Sequence, residues 1–231
     1  MPRSERSCYF LRVTTTGTAG KGDRTREAIL ARGVDVACRV GLGGLTIGDL
    51  AAGTGLSKSG LYAHFGSKEA LQLAVLDAAA QDFGDVVVVP ALRAPRGEAR
   101  VLALLEGWLG CGRLRHPGGC LFVKASTELD EQPGPVRDRL AERHRDLVRS
   151  IARVFAGGIT EGQFRTDADP YQFATDLYGV MLVYYHAHRL LADPRAEERA
   201  RVAVAALLAA ARPAAPRPVA ARHDATAGDD R

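Results

Sequence analysis

Residues 45–71 read LTIGDLAAGTGLSKSGLYAHFGSKEAL, and this stretch decides the fold. It has the pattern of two short helices joined by a tight turn, with a third helix starting directly behind them. Thr46 is placed to cap the first short helix: its hydroxyl can accept from a free backbone N–H, and Asp49 stands three residues on. Leu50 and Ala51 then face inward, and the small Ala51 lets the next helix cross closely. Gly55 falls in the turn, where a positive φ is easiest for a residue without Cβ. Ser57 can cap the second helix, over residues 57–65, which Leu56 and Leu61 anchor. Ser67 can cap the third. This is the spacing of a DNA-binding helix-turn-helix, whose second helix enters the major groove.

The second helix carries Lys58, Ser59, Tyr62 and His64 and no acid, and Lys68 follows. Acids are absent from residues 54–68, although the chain is rich in them elsewhere. A surface that meets phosphates needs that local sign. The expected DNA contacts are therefore Thr46, Ser57, Lys58, Ser59, Gly60, Tyr62, His64 and Lys68. Thr46, Tyr62, His64 and Lys68 suit phosphates. Lys58 and Ser59, near the start of the helix, suit base edges, and Gly60 leaves room for close approach. The competing view, a small three-helix domain with a solvated polar face, has to explain why cap, small residue, turn glycine and acid-free helix coincide.

The motif GLSKSGLYAHFGSKEAL, with the preceding TREAILARGVDVACRVGLGGLTIGDLAAGTG, resembles the signature of TetR-type transcriptional regulators. The resemblance covers residues 23–76 and includes Tyr62, Phe65 and Ser67-Lys68-Glu69. It implies an all-α fold, a homodimer and a C-terminal domain that binds a small ligand. The later matches, Gly119-Cys120-Leu121-Phe122 and Asp169-Pro170-Tyr171-Gln172-Phe173, are looser and name no ligand. One departure is Gly48, where the family more often has a polar helix former; glycine there costs about 1 kcal/mol of helix propensity.

Composition agrees with helices: aliphatic residues and alanine abound, and aromatics make up 6% of the 231 residues. The net charge of +4 is less informative than its distribution. Residues 1–22 carry four basic residues and one acid, whereas residues 23–77 carry six of each sign. Charge alone does not mark a nucleic-acid binder. Cys8, Cys38, Cys111 and Cys120 lack metal-ligand spacing, so no metal site and no cofactor is expected. No long apolar run or secretory signal is evident, which points to a cytoplasmic protein without a membrane partner. Cys120, near Arg113, Arg115 and His116, is a candidate redox sensor, set against its reading as an inert buried thiol.

The organisation expected is an extension over 1–22, a DNA-binding domain over 23–70, a helical ligand-binding and dimerisation domain over 71–211, and a disordered tail over 212–231. The extension reads either as a flexible basic arm with Arg3, Arg6, Arg12 and Lys21 or as an over-extended start. Helices are expected at about 24–40, 98–114, 120–129, 136–157, 169–191 and 194–211. The β-branched run 86–89 before Pro90 has no partner strand and is read as a helix end or connector. The helix over 169–191 is apolar nearly all round and the last presents small residues, which suits a four-helix dimer seam that includes Leu207. The stripe Val136, Leu140, Leu147, Val148, Ile151, Val154 and Phe155 faces inward on the long helix. Its Arg-rich opposite face reads as solvated.

An effector pocket is expected among Trp108, Phe122, Leu147, Ile151, Tyr178, Met181, Tyr185 and His188, whose mixed sizes and few polar tips suit an apolar or aromatic molecule. Each of these residues is equally readable as plain core. His186 and His188 raise the possibility of a metal or acid–base site, but residues two apart on a helix diverge. No carboxylate pair, nucleophile motif or phosphate loop accompanies them, so an enzyme is not expected. The function expected is a dimeric repressor released from double-stranded operator DNA by a small-molecule effector. A ligand-independent activator or architectural factor is the alternative, and a filled C-terminal core would favour it.

Overall fold

The computed structural model describes residues 20–115 and 119–214. Cys8, the basic residues of the expected arm before residue 20, His116 and most of the expected tail lie outside them. Every regular element among the described residues is a helix. In chain order they are α1 (Lys21–Val40), α2 (Ile47–Thr54), α3 (Lys58–Phe65), α4 (Lys68–Phe83), α5 (Val89–Ala91), α6 (Glu98–Gly110), α7 (Leu121–Leu129), α8 (Pro135–Thr160), α9 (Pro170–Arg189) and α10 (Ala196–Ala211). None is long and apolar enough to cross a membrane.

Local chemistry sets the first elements. α1 begins at Lys21, one turn before the expected start, because Asp23 Oδ2 accepts from the Gly20 N–H at 3.0 Å. Thr46, Ser57 and Ser67 cap α2, α3 and α4, each accepting from the backbone N–H three residues on. Each cap satisfies a donor that a helix start leaves open. Gly55 ends α2 with φ +69°. The turn needs that left-handed conformation, which glycine adopts without the steric cost of a Cβ.

Two apolar cores share helices α4 and α8. The first joins Ile29, Val34 and Ala37 of α1 to Leu50 of α2, Leu61 and Phe65 of α3, and Leu71, Val75, Leu76 and Ala79 of α4. It also takes in Leu121, Ala125 and Leu129 of α7 and Leu140 of α8. The second core begins at Ala80 and Phe83 of the same α4 and fills the space between α6, α8, α9 and α10. Phe155 lies at its centre, with ring centroids 4.5 Å from Phe164 and 4.1 Å from Phe173. The expected division at residues 70/71 therefore falls inside one continuous helix. Beyond Phe83 the helix does not fray. The run 86–89 continues it as a π-helical turn, Gly84–Val88, into α5.

Ion pairs bind α4 to α8: Asp77 holds Arg139 Nη1 at 2.6 Å and Arg143 Nη2 at 2.6 Å. α9 is not buried on all sides in the single chain. Val183 is 67% exposed, and Val202 on the neighbouring α10 is 65% exposed. Leu207 instead packs, half-buried, against the second core. The exposed apolar face of these two helices is thus drawn by Val183 and Val202.

Candidate nucleic-acid interface and ligand cavity

α3 turns Leu61 and Phe65 into the first core and leaves Lys58, Ser59 and Tyr62 exposed on the other side. The spacing of 58 and 62, one turn apart, places them on one face. Ser57 and Ser59 meet at 3.0 Å through their hydroxyls at the start of this helix. Gly60, half-buried, donates its N–H to the Ser57 cap. His64 is half-buried and lies at the flank, its ring tilted against Phe65. The Arg26 guanidinium lies over the Phe65 ring, 5.1 Å from its centroid. A cation on α1 thus reaches the end of α3, which the sequence reading passed over.

The flanking residues do other work as well. Thr46 is exposed, and its hydroxyl donates to Asp49 Oδ2 at 2.7 Å while accepting from the Asp49 N–H. The Lys68 ammonium donates to the Gly43 carbonyl at 2.7 Å. Part of its bonding capacity therefore steadies the loop before α2. Gly48 has a local role too: a Cβ there would stand 3.3 Å from Lys58 Cε, so its absence lets the Lys58 stem cross the start of α2.

That loop, residues 41–45, is gripped from two sides. From α4, Gln72 Nε2 donates to the Leu42 carbonyl at 2.8 Å, beside Lys68. From α7, Lys124 Nζ donates to the carbonyls of Cys38 at 3.0 Å and Arg39 at 2.6 Å, and Glu128 accepts from the N–H groups of Leu42 and Gly43. A Cβ on Gly43 would collide with the Glu128 carboxylate. The start of the helix-turn-helix is therefore tied to a helix of the C-terminal region.

The other end of α7 borders two cavities of about 20 Å³ each. Trp108, Phe122, Leu147 and Tyr178, four of the expected pocket residues, line one of them together with Phe83 and His144. Tyr185 and Phe122 line the other, beside Cys38, Cys111 and Cys120. The remaining expected residues do not line these cavities. Ile151, one turn beyond Leu147, and Met181 are fully buried in the second core. His188 stacks on Tyr184 with centroids 5.5 Å apart. An open groove of about 530 Å³ between α7 and α9 ends on Cys120 and Tyr185, so Cys120 borders the groove and both cavities.

His144 is the residue sequence reasoning missed. It stands four residues after Leu140 and three before Leu147, on the inward stripe of α8, and that spacing was the available signal. The Tyr178 hydroxyl meets its Nδ1 at 2.7 Å. Burial pushes the imidazole below its ordinary pKa, partly offset by the backbone of Phe122. Burial likewise pushes Tyr178 up. Trp108 Nε1 and His144 Nε2 are buried without a well-formed hydrogen bond.

The thiols face the opposite way to a redox sensor. Burial raises Cys38 and Cys111 to about 12 and also raises Cys120. The basic neighbours expected to lower Cys120 are engaged elsewhere: Arg113 with Glu197 at 2.8 Å, and Arg115 with Asp82. A thiol so desolvated holds its proton at neutral pH and is a poor nucleophile.

Residues 29–75 match the family model described as bacterial regulatory proteins, tetR family, and residues 97–204 match one described as tetracyclin repressor-like, C-terminal domain. No curated protein matches significantly. The fold is similar to a TetR transcriptional regulator from Chloroflexus aurantiacus, with TM-score 0.77 and 27% identity over 84% of this chain and 99% of that one. It is similar to a TetR-family regulator from Cytophaga hutchinsonii, with TM-score 0.76 and 21% identity over 86% and 100%. It is also similar to AibR in complex with isovaleryl coenzyme A and operator DNA, with TM-score 0.63 and 23% identity over 80% and 98%.

Proposed function

We propose, from the premise that this chain belongs to the TetR family of transcriptional regulators, that it is a dimeric repressor released from its operator by a small apolar or aromatic molecule. The observation that carries DNA binding is the exposed, acid-free face of α3, with Lys58, Ser59 and Tyr62 presented by a helix capped at Ser57. In this reading one α3 per protomer enters the major groove. Phosphate contacts from Tyr62, Thr46 and the flanks position it, and Lys58 and Ser59 read base edges. AibR, a neighbour of this fold, is in complex with operator DNA, which supports DNA binding by this chain.

The dimer is supported by the apolar face that α9 and α10 leave open around Val183 and Val202. Two such helices from each protomer make a four-helix seam. Effector control is supported by the ties between regions: α7 grips the loop before α2 through Lys124 and Glu128, and α8 grips α4 through Asp77. A ligand that binds one arrangement of α7 and α8 better than the other shifts the spacing of the two reading helices. The site of action is the cytoplasm, where the DNA is.

The ligand-independent reading has one observation in its favour, the small size of the two inner cavities. Gel-shift titration of the full chain on fragments of its own genome tests DNA binding. Addition of small aromatic molecules to the bound complex then separates the two readings: release by any of them supports effector control.

A further inference from the structure

We propose that the groove between α1 and α4 is the seat of the chain's own N-terminal segment, residues 1–19, whose Tyr9-Phe10-Leu11 run lies between Arg6 and Arg12. The inference is independent of the effector reading.

The groove has a volume of about 660 Å³. Leu30, Ala31 and Val34 of α1 and Ala78 of α4 form its apolar floor. Its rim is acidic: Glu27 and Asp35 on α1, Asp82 on α4 and Asp85 on the π turn that follows. Arg115, the cation of the described lining, is held by Asp82. The sign of the rim turns DNA phosphates away and selects a cationic occupant. An acidic rim alone is satisfied by water. The floor gains only from an occupant that also brings apolar side chains.

Residues 1–19 bring both. They carry Arg3, Arg6 and Arg12 against Glu5, and Cys8, Tyr9, Phe10 and Leu11 stand between Arg6 and Arg12. The order cation, apolar run, cation answers the order acid, apolar floor, acid along α1. Glu27 and Asp35 lie roughly 12 Å apart along the helix axis. Arg6 and Arg12 lie roughly 9 Å apart in a helix and roughly 20 Å apart in a strand, and this range brackets the spacing of the acids.

The chain is long enough to make the contact. Measured along α1 from Gly20, Glu27 lies roughly 10 Å away and Asp35 roughly 22 Å away. From Arg12 to Gly20 the chain spans at most roughly 26 Å, so it can double back along α1 and bring Arg12 to either acid. Tethering holds the segment at an effective concentration on the order of millimolar, so a few exposed ion pairs and one or two apolar side chains suffice. Seated in the groove, Arg6 and Arg12 are withheld from DNA phosphates, and the segment straps α1 to α4.

The test replaces Phe10 of the full chain by the photocrosslinking residue p-benzoylphenylalanine, mixes light- and heavy-isotope protein, and locates the crosslinks by mass spectrometry. Crosslinks are expected within one chain, to Leu30, Ala31, Val34 or Ala78. Glu27→Lys combined with Asp85→Lys changes two exposed positions. It turns two attractions into repulsions and should lower the seated-to-free ratio, and with it the crosslink yield, roughly tenfold. Adding Arg6→Glu and Arg12→Glu to that variant should restore the yield. Crosslinks on other helices, or none, overturn the seat. Groove crosslinks found only between light and heavy chains give the groove to a second copy's segment and overturn seating within one chain. An undiminished yield in the lysine variant overturns the charge matching on which the proposal stands.

Discussion

Glu128 accepts a hydrogen bond from the Leu42 backbone N–H at 2.8 Å across a sequence separation of 86 residues. With the second oxygen on Gly43, one carboxylate of α7 supplies the acceptors for the loop that follows α1. Leu42 is fully buried, so water cannot replace the bond. Glu128→Ala should therefore cost about 1–3 kcal/mol, the penalty of stranding the buried Leu42 N–H. Glu128→Gln, which keeps one acceptor oxygen, should cost less. Urea denaturation midpoints of the two variants check this. An unchanged midpoint for Glu128→Ala would mean that the loop is held without it.

Gly48 is a weak point in α2 that the fold tolerates. A Cβ there comes closest to Lys58 Cε, the far end of a flexible side chain, and meets Thr46 Oγ1 only at ordinary contact distance. Gly48→Ala should raise stability by about 0.5–1 kcal/mol through helix propensity. The measurement is a rise in thermal midpoint. A fall would show that the Lys58 stem cannot move aside.

The buried imidazole of His144 makes stability depend on pH. Its folded pKa lies below the ordinary 6.5 because burial penalises the charged form. In the unfolded chain it protonates near 6.5, so below that pH the unfolded state binds more protons. Its contribution is complete above about pH 6.5 and is lost as pH falls toward the folded value. Thermal midpoints should drop on acidification through this window, and His144→Phe should flatten that part of the curve. An identical slope in the variant would place the titration elsewhere.

The open face of α9 and α10 predicts the site of self-association. Val183→Glu and Val202→Glu each put a charge where a second copy is proposed to pack. Sedimentation of both variants should show monomer, with operator binding lost. A single variant that stays dimeric at low concentration would move the seam off that residue, and two would move it off this face.

What could be read from sequence was local. Thr46, Ser57 and Ser67 bond to backbone N–H groups three residues away, and Gly55 takes its conformation from its own lack of Cβ. Such features need no knowledge of the rest of the chain. His144 was missed because its neighbours Arg143 and Arg145 gave that part of α8 a solvated character, although its spacing from Leu140 and Leu147 placed it on the inward stripe. The Glu128–Leu42 contact depends on how α7 docks on α1, which no periodicity carries. The run 86–89, read as a helix end or connector, is a helical continuation of α4 into α5. Its valines suit a strand, but packing against α6 keeps it helical as a π turn.

The central claim is that α3 reads DNA with Lys58 and Tyr62. The most direct measurement is selection of genomic fragments by the full chain, followed by gel-shift titration of the wild type and of Lys58→Ala and Tyr62→Ala on the recovered sequence and a scrambled one. The account predicts a recovered site with two-fold symmetry and half-sites centred about 10 base pairs, or a multiple of that, apart. Tyr62→Ala should weaken binding to both sequences alike, while Lys58→Ala should narrow the gap between them by about 1–3 kcal/mol. Recovery of no common sequence, or unchanged affinity of both variants for it, would contradict the claim.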